Sequence, residues 1–256
     1  MARWLIIVSY LKRISEDCEG NPRMKKICLA VSRSILMLFA ALTVACTTTP
    51  PSIQTGPDAE VSFDGLHKVD NSQADQAWAR PDFDISRYTK IMLVGEGIEY
   101  APAKNLGRTA TERSRSGPYF IDEDSRARFE KLVGETFLDE MQKIERFEIV
   151  TESGPDVMII RGALLDVVSY VPQDPMSAMG RGNIYLSSVG SATLVLELRD
   201  SETNAILARS IDRRAAEPVG GTFVDSNRVT NAAEVRRLIR FWGRRLREGL
   251  DGFAQQ

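Results

Sequence analysis

All three cysteines of the chain, Cys18, Cys28 and Cys46, fall within its first 46 residues, and residues 47–256 contain none. Whatever folds after Cys46 must be held by an apolar core, without disulfides, a thiolate metal site or a cysteine nucleophile. A remainder of about 200 residues is large enough to bury such a core. Its composition, 43% hydrophobic and 27% charged over the whole chain, suits a globular domain rather than a disordered one. Avoidance of thiols also fits an oxidising compartment. The formal charge of −2 is unevenly placed: residues 1–45 hold seven Lys/Arg and three Asp/Glu, leaving 26 and 32, a net of −6, for residues 46–256. That acidic balance gives no reason to expect nucleic acid as a partner, because phosphate binding needs a basic surface.

The segment before Cys46 has the three parts of a secretory signal. Met24-Lys25-Lys26 is a positive start, Ile35 to Leu42 is a short apolar run, and Thr43-Val44-Ala45 supplies small residues before the cysteine. The uncharged run is too short for a transmembrane helix, which needs about 20 apolar residues. Leu42-Thr43-Val44-Ala45-Cys46 resembles the lipobox of bacterial lipoproteins. The resemblance implies cleavage between Ala45 and Cys46, lipid on the Cys46 thiol, and a membrane as partner. Thr47 rather than aspartate follows, which by the same resemblance implies an outer-membrane anchor facing the periplasm. Residues 1–23 read as an upstream extension from a start placed too early, 24–45 as the signal peptide, 46–80 as the lipidated cysteine with a flexible tether, and 81–256 as a periplasmic domain. The tether is expected because Thr47 to Trp78 is rich in Thr, Pro, Ser, Asp and Gln.

Regular structure is expected from about Asp84. Tyr88 to Val94 reads as a buried strand, ended by Gly95-Glu96-Gly97, and residues 101–118 as an exposed loop. Asp122-Glu123-Asp124 opens a helix whose apolar face is Phe129, Leu132, Val133, Phe137, Met141 and Ile144. Strands follow at Phe147–Val150, Val157–Val168, Ala192–Leu198 and Ala205–Ser210, the last two joined as a hairpin by polar residues 200–204. A Pro/Gly/Met loop, with Met176 and Met179, lies over 172–182. The closing helix is marked by Val235, Leu238, Ile239, Trp242, Leu246 and Leu250. The order predicts an α+β fold: a mixed, mainly antiparallel sheet of about five strands with two packed helices, preceded by signal peptide and flexible tether. The Tyr88 strand, the long helix, Gly154-Pro155-Asp156-Val157, Leu196 to Ser201 and the helix with Trp242 resemble a family of uncharacterised Gram-negative lipoproteins, domain of unknown function 3313, over roughly residues 60–250. In that pattern Asn204 stands where a hairpin glycine is expected. The resemblance implies an envelope protein and brings no catalytic residues.

Chemistry-bearing motifs are sparse. Gly95-Glu96-Gly97 follows a strand, but Tyr100 occupies the third glycine position and Ala101-Pro102 replaces the helix start, so no nucleotide site is expected. His67 is the only histidine, which leaves little material for a histidine-based triad or zinc site. Asp122, Glu123 and Asp124, and Asp82 with Asp84, read as caps and strand lead-in rather than metal ligands. Arg236, Arg240, Arg244 and Arg247 form the basic face of the last helix, a candidate contact for an envelope protein or anionic lipid. Tyr185 reads as a packing or loop residue. The expectation is a membrane-anchored, non-enzymatic binding or assembly accessory without cofactor or metal. The alternatives are an envelope hydrolase with dispersed carboxylates, which needs two facing acids in a cleft, and a periplasmic small-ligand carrier, which needs an apolar cavity.

Overall fold

The computed structural model describes residues 49–102, 118–172 and 184–252. The extension 1–23, the signal peptide 24–45, the lipidation site Cys46, Met176 and Met179 lie outside them, as does most of the loop expected over 101–118. In chain order the strands and helices are β1 (Ser52–Ile53), β2 (His67–Asp70), β3 (Gln76–Ala79), β4 (Lys90–Tyr100), α1 (Glu123–Met141), β5 (Glu148–Ile149), β6 (Val157–Ser169), β7 (Tyr185–Leu186), β8 (Gly190–Asp200), β9 (Ile206–Ala215), β10 (Val224–Asp225) and α2 (Arg228–Gly252). The main sheet runs β1-β2-β3-β9-β8-β6-β4-β5, and β7 pairs with β10 as a separate ribbon. β4 lies parallel to both β5 and β6; every other neighbouring pair is antiparallel. The mixed α+β sheet with two helices is as expected, but it has eight strands rather than five.

Most of the additional strands come from the stretch expected to be tether. β1, β2 and β3 extend the sheet outward from β9, with Trp78 opposite Arg209 and Ala79 opposite Ala208. These strands are only two to four residues long, too short to carry a readable two-residue period. Burial of Leu66, whose backbone N–H is held by the Ser62 hydroxyl at 3.0 Å, fixes the loop between β1 and β2. Asn71, at φ 56°, turns β2 into β3. Residues 52–79, expected as part of the tether, thus contribute three strands to the main sheet.

The alternation along β8 explains the layering. Gly190, Ala192, Leu194 and Leu196 are buried under the helices, and the residues between them face the other side. β4 does not stop at its glycines. It runs on through a bulge at Gly95-Glu96-Gly97, where the register with β6 shifts and Gly97 takes φ 115°. Glu96, the extra residue, pairs with Arg161 at 2.7 Å. Asn204 adopts φ 57° in the β8–β9 turn, so the position does require the left-handed backbone that glycine commonly supplies. α2 is docked through Trp242, whose indole N–H donates to the buried Asp212 of β9 at 2.7 Å. Among the described residues no helix is long and apolar enough to cross a membrane.

Gly190 admits no side chain. A Cβ there would stand 2.3 Å from the Val168 carbonyl oxygen, a backbone atom that cannot swing aside. Gly190→Ala is expected to lower unfolding free energy by about 1–3 kcal/mol, as overpacking does, measured by urea denaturation.

Candidate functional site

α1 is an arch over the sheet, held at both ends and open in the middle. At its start Asp122 caps the helix by accepting from the Ser125 N–H at 2.7 Å, the capping role expected of this acidic run. The Arg126 guanidinium lies 4.5 Å over the Tyr100 ring, and Phe129 meets the same ring at 6.3 Å. The Tyr100 hydroxyl donates to Glu130 at 3.3 Å. Burial, and then the Glu130 charge, hold the Tyr100 phenol well above its ordinary value, so it stays a neutral donor.

At the far end α1 presses on α2. A Cβ on Gly243 would meet Glu140 Cβ at 3.1 Å and Phe137 Cδ2 at 3.6 Å, so the two helices meet where α2 has no side chain. The Glu140 carboxylate is 7% exposed and sits beside Lys143 at 2.6 Å and Arg247 at 3.5 Å. Burial alone would raise its pKa, but the Lys143 hydrogen bond and the Lys143 and Arg247 charges outweigh that and hold it below the ordinary value.

Between these ends the apolar stripe of α1 is only partly covered. Phe129, Val133 and Phe137 are half-buried, and Met141 alone of the expected six is fully buried. The gap is a cavity of about 560 Å³. Its floor is β4 from Leu93 to Ile98, β6 from Ile160 to Leu164, and Leu194 and Leu196 of β8. Ile239 and Trp242 close the inner wall. Glycines keep it open. Gly95 and Gly162 face each other in register, and a Cβ on Gly95 or on Gly134 of the roof would meet nothing within 4 Å. Glu130, Gly134 and Leu138, one helical turn apart, form the exposed rim. Beyond Ile91 no described strand pairs with the outer edge of β4, because β5 meets only Lys90 and Ile91.

The lining is aliphatic and aromatic, and Glu130 at the rim is its only carboxylate. The volume lies in the range of ligand sites, which are mostly apolar with few polar groups. None of these residues stood out in sequence as a site. The one available signal was the pair of glycines in β4, and its partner Gly162 lies far along the chain.

The expected arginine contact is only partly assembled. Arg236, Arg240 and Arg244 are exposed along one stripe of α2 and have no ion-pair partner among the described residues. Arg247 departs from that face: its side chain is 20% exposed and engages Glu140, Glu248 and Asp251 within the domain. Arg237 pairs with Glu234 one turn earlier. Other candidates serve local structure. His67 Nδ1 lies 2.8 Å from the Gln54 carbonyl, Asp82 pairs with Arg80, and Asp84 accepts from the Ser86 N–H. Among the described residues no cluster of acidic or histidine side chains could hold a metal ion.

Comparison with known proteins places a family and no activity. Residues 59–246 match the model of a protein family of unknown function, DUF3313, and the chain belongs to that family. No curated protein matches. Among solved structures, a PelC dodecamer subunit from Paraburkholderia phytofirmans is 12% identical, covering 67% of this chain and 94% of that one at a TM-score of 0.31. Protein XCC0632 from Xanthomonas campestris is 13% identical over 70% and 91%, with a TM-score of 0.37. The hypothetical protein CT253 from Chlamydia trachomatis is 10% identical over 63% and 98%, with a TM-score of 0.34.

The Glu140 clamp gives the arch a pH dependence. Its carboxyl titrates below the ordinary 4.5 in the folded chain, so its contribution is complete above that value and is lost as the pH falls through the folded pKa. Glu140→Gln is expected to be less stable at neutral pH and to lose less stability on acidification than the parent. Urea midpoints across an acid-to-neutral series would measure both.

Proposed function

We propose that this DUF3313 protein is a lipid-anchored, non-enzymatic binding protein of the bacterial envelope, whose domain takes an apolar chain into the cleft beneath α1. The observation that carries the binding role is the glycine-lined cavity, open to solvent along Glu130, Gly134 and Leu138. A site with this lining gains affinity by removing methylenes from water, about 0.8 kcal/mol each, and has little means of orienting a polar substrate. The single rim carboxylate disfavours a free fatty-acid anion and suits the acyl chain of a neutral or zwitterionic lipid, with its headgroup left outside. The hydrolase alternative needs two facing acids, and the described lining supplies one. The anchor rests on the sequence before Cys46, and sorting to the outer membrane rests on Thr47 after it. The unpaired stripe of Arg236, Arg240 and Arg244 supports a second contact, with an acidic envelope protein.

The test is saturable binding of an uncharged apolar fluorophore, N-phenyl-naphthylamine, competed by phospholipid. Gly134→Leu places a side chain in the open cleft while replacing a helical glycine, which by itself stabilises a helix by up to about 1 kcal/mol. Affinity should fall about tenfold or more with no loss of thermal stability. Absence of saturable binding by the parent, or equal binding by the variant, would refute the cleft as a ligand site.

A further inference from the structure

The cavity beneath α1 has a direction, because the strand register sorts its floor into rows that cross the sheet. Gly95, Gly162 and Leu196 stand side by side on β4, β6 and β8. The row on one side is Leu93, Ile160 and Leu198, and the row on the other is Ile98, Leu164 and Leu194. Between these two rows of branched side chains, the first two positions of the middle row are bare backbone. Along β6 each flanking row lies about 7 Å away, two residues from Gly162. Side chains leaning in from both sides leave the width of one hydrocarbon chain, not two. The bare row begins at Gly95, which is exposed, beneath the exposed Gly134 of α1. It ends at Leu196, which is buried and leans back over β6: a Cβ on Gly162 would lie 3.4 Å from Leu196 Cδ2. Ile239 and Trp242 of α2 close the same wall, and the bond from the Trp242 indole to Asp212 holds that wall in place.

We infer that this row is a channel for one unbranched alkyl chain, and that Leu196 is the stop that sets how much of the chain enters. The inference rests on the cleft being a ligand site, as proposed above, and adds which chains the site selects. Each methylene that passes between the flanking rows leaves water and strengthens binding about fourfold. A methylene that reaches the stop gains nothing, because the wall behind it is closely packed and yields only at a cost. Affinity along a homologous series therefore rises and then levels off, at a length fixed by the side chain at the end of the row. A chain branched near its tip is wider than the bare row and stops short of Leu196.

The test is competition of N-phenyl-naphthylamine by unbranched primary alkanols, which carry no charge, from hexanol to tetradecanol. The parent is compared with Gly162→Val, which puts a side chain on the channel floor, and with Leu196→Ala, which shortens the stop. The parent is expected to gain about fourfold per carbon and then to level off. That point should come about three carbons earlier in Gly162→Val and about three later in Leu196→Ala, the number of carbons each exchange adds or removes. Valine suits a strand interior, so Gly162→Val decides the matter if Leu196→Ala, which empties part of the core, does not fold. Saturable binding that levels off at one length in parent and variant, or a parent series with no levelling, would overturn the stop and leave the cleft a ligand site. A parent that binds neither fluorophore nor alkanol saturably would overturn the cleft reading and this inference with it.

Discussion

Everything in this fold depends on how α1 is pinned. The helix crosses from β4 to β6, a parallel connection that needs a helix on one face of the sheet. At one end the bare backbone of Gly243 lets α2 approach Glu140 and Phe137, and at the other Arg126, Phe129 and Glu130 gather around Tyr100. With both ends fixed, the middle can settle only as far as the side chains beneath allow. Under Gly134 lie Gly95 and Gly162, which offer none. A leucine at either strand position would supply the missing contacts. The chain instead leaves apolar surface uncovered, a cost that an occupant of the cleft would offset.

The opposite face of the sheet is held by charge. Glu197 accepts from Arg199 and Arg209, and Arg209 reaches Asp64 in the loop between β1 and β2 at 2.6 Å. Burial works against the ionised Glu197, yet the two guanidinium groups hold its pKa below the ordinary value. This network ties the loop before β2 to the central hairpin. Together with the β3–β9 pairing, it brings the amino-terminal strands into the domain.

The central elements were legible because their periods are strong. β8 and β9 alternate around a polar turn, α2 repeats its apolar residues at three and four, and Asp122 caps as its position suggests. The amino-terminal strands were not legible, since Gln76-Ala77-Trp78-Ala79 gains its meaning only from β9 beside it. The β4 glycines looked like a stop, because a bulge and a strand end share the same residue preference. The cleft was invisible for a further reason: it is made of missing side chains, brought together by a register between residues 67 positions apart, Gly95 and Gly162. The arginine face was read correctly as helical, but the sequence did not show that Glu140 draws Arg247 out of it.

The most direct test of the account is native mass spectrometry of the protein after equilibration with phospholipid vesicles, beside Gly95→Leu. The account predicts one non-covalent lipid on the parent, released on denaturation, and none on the variant. A parent chain that carries no non-covalent lipid, or a variant that holds lipid equally well, would contradict the claim that the cleft beneath α1 is a binding site.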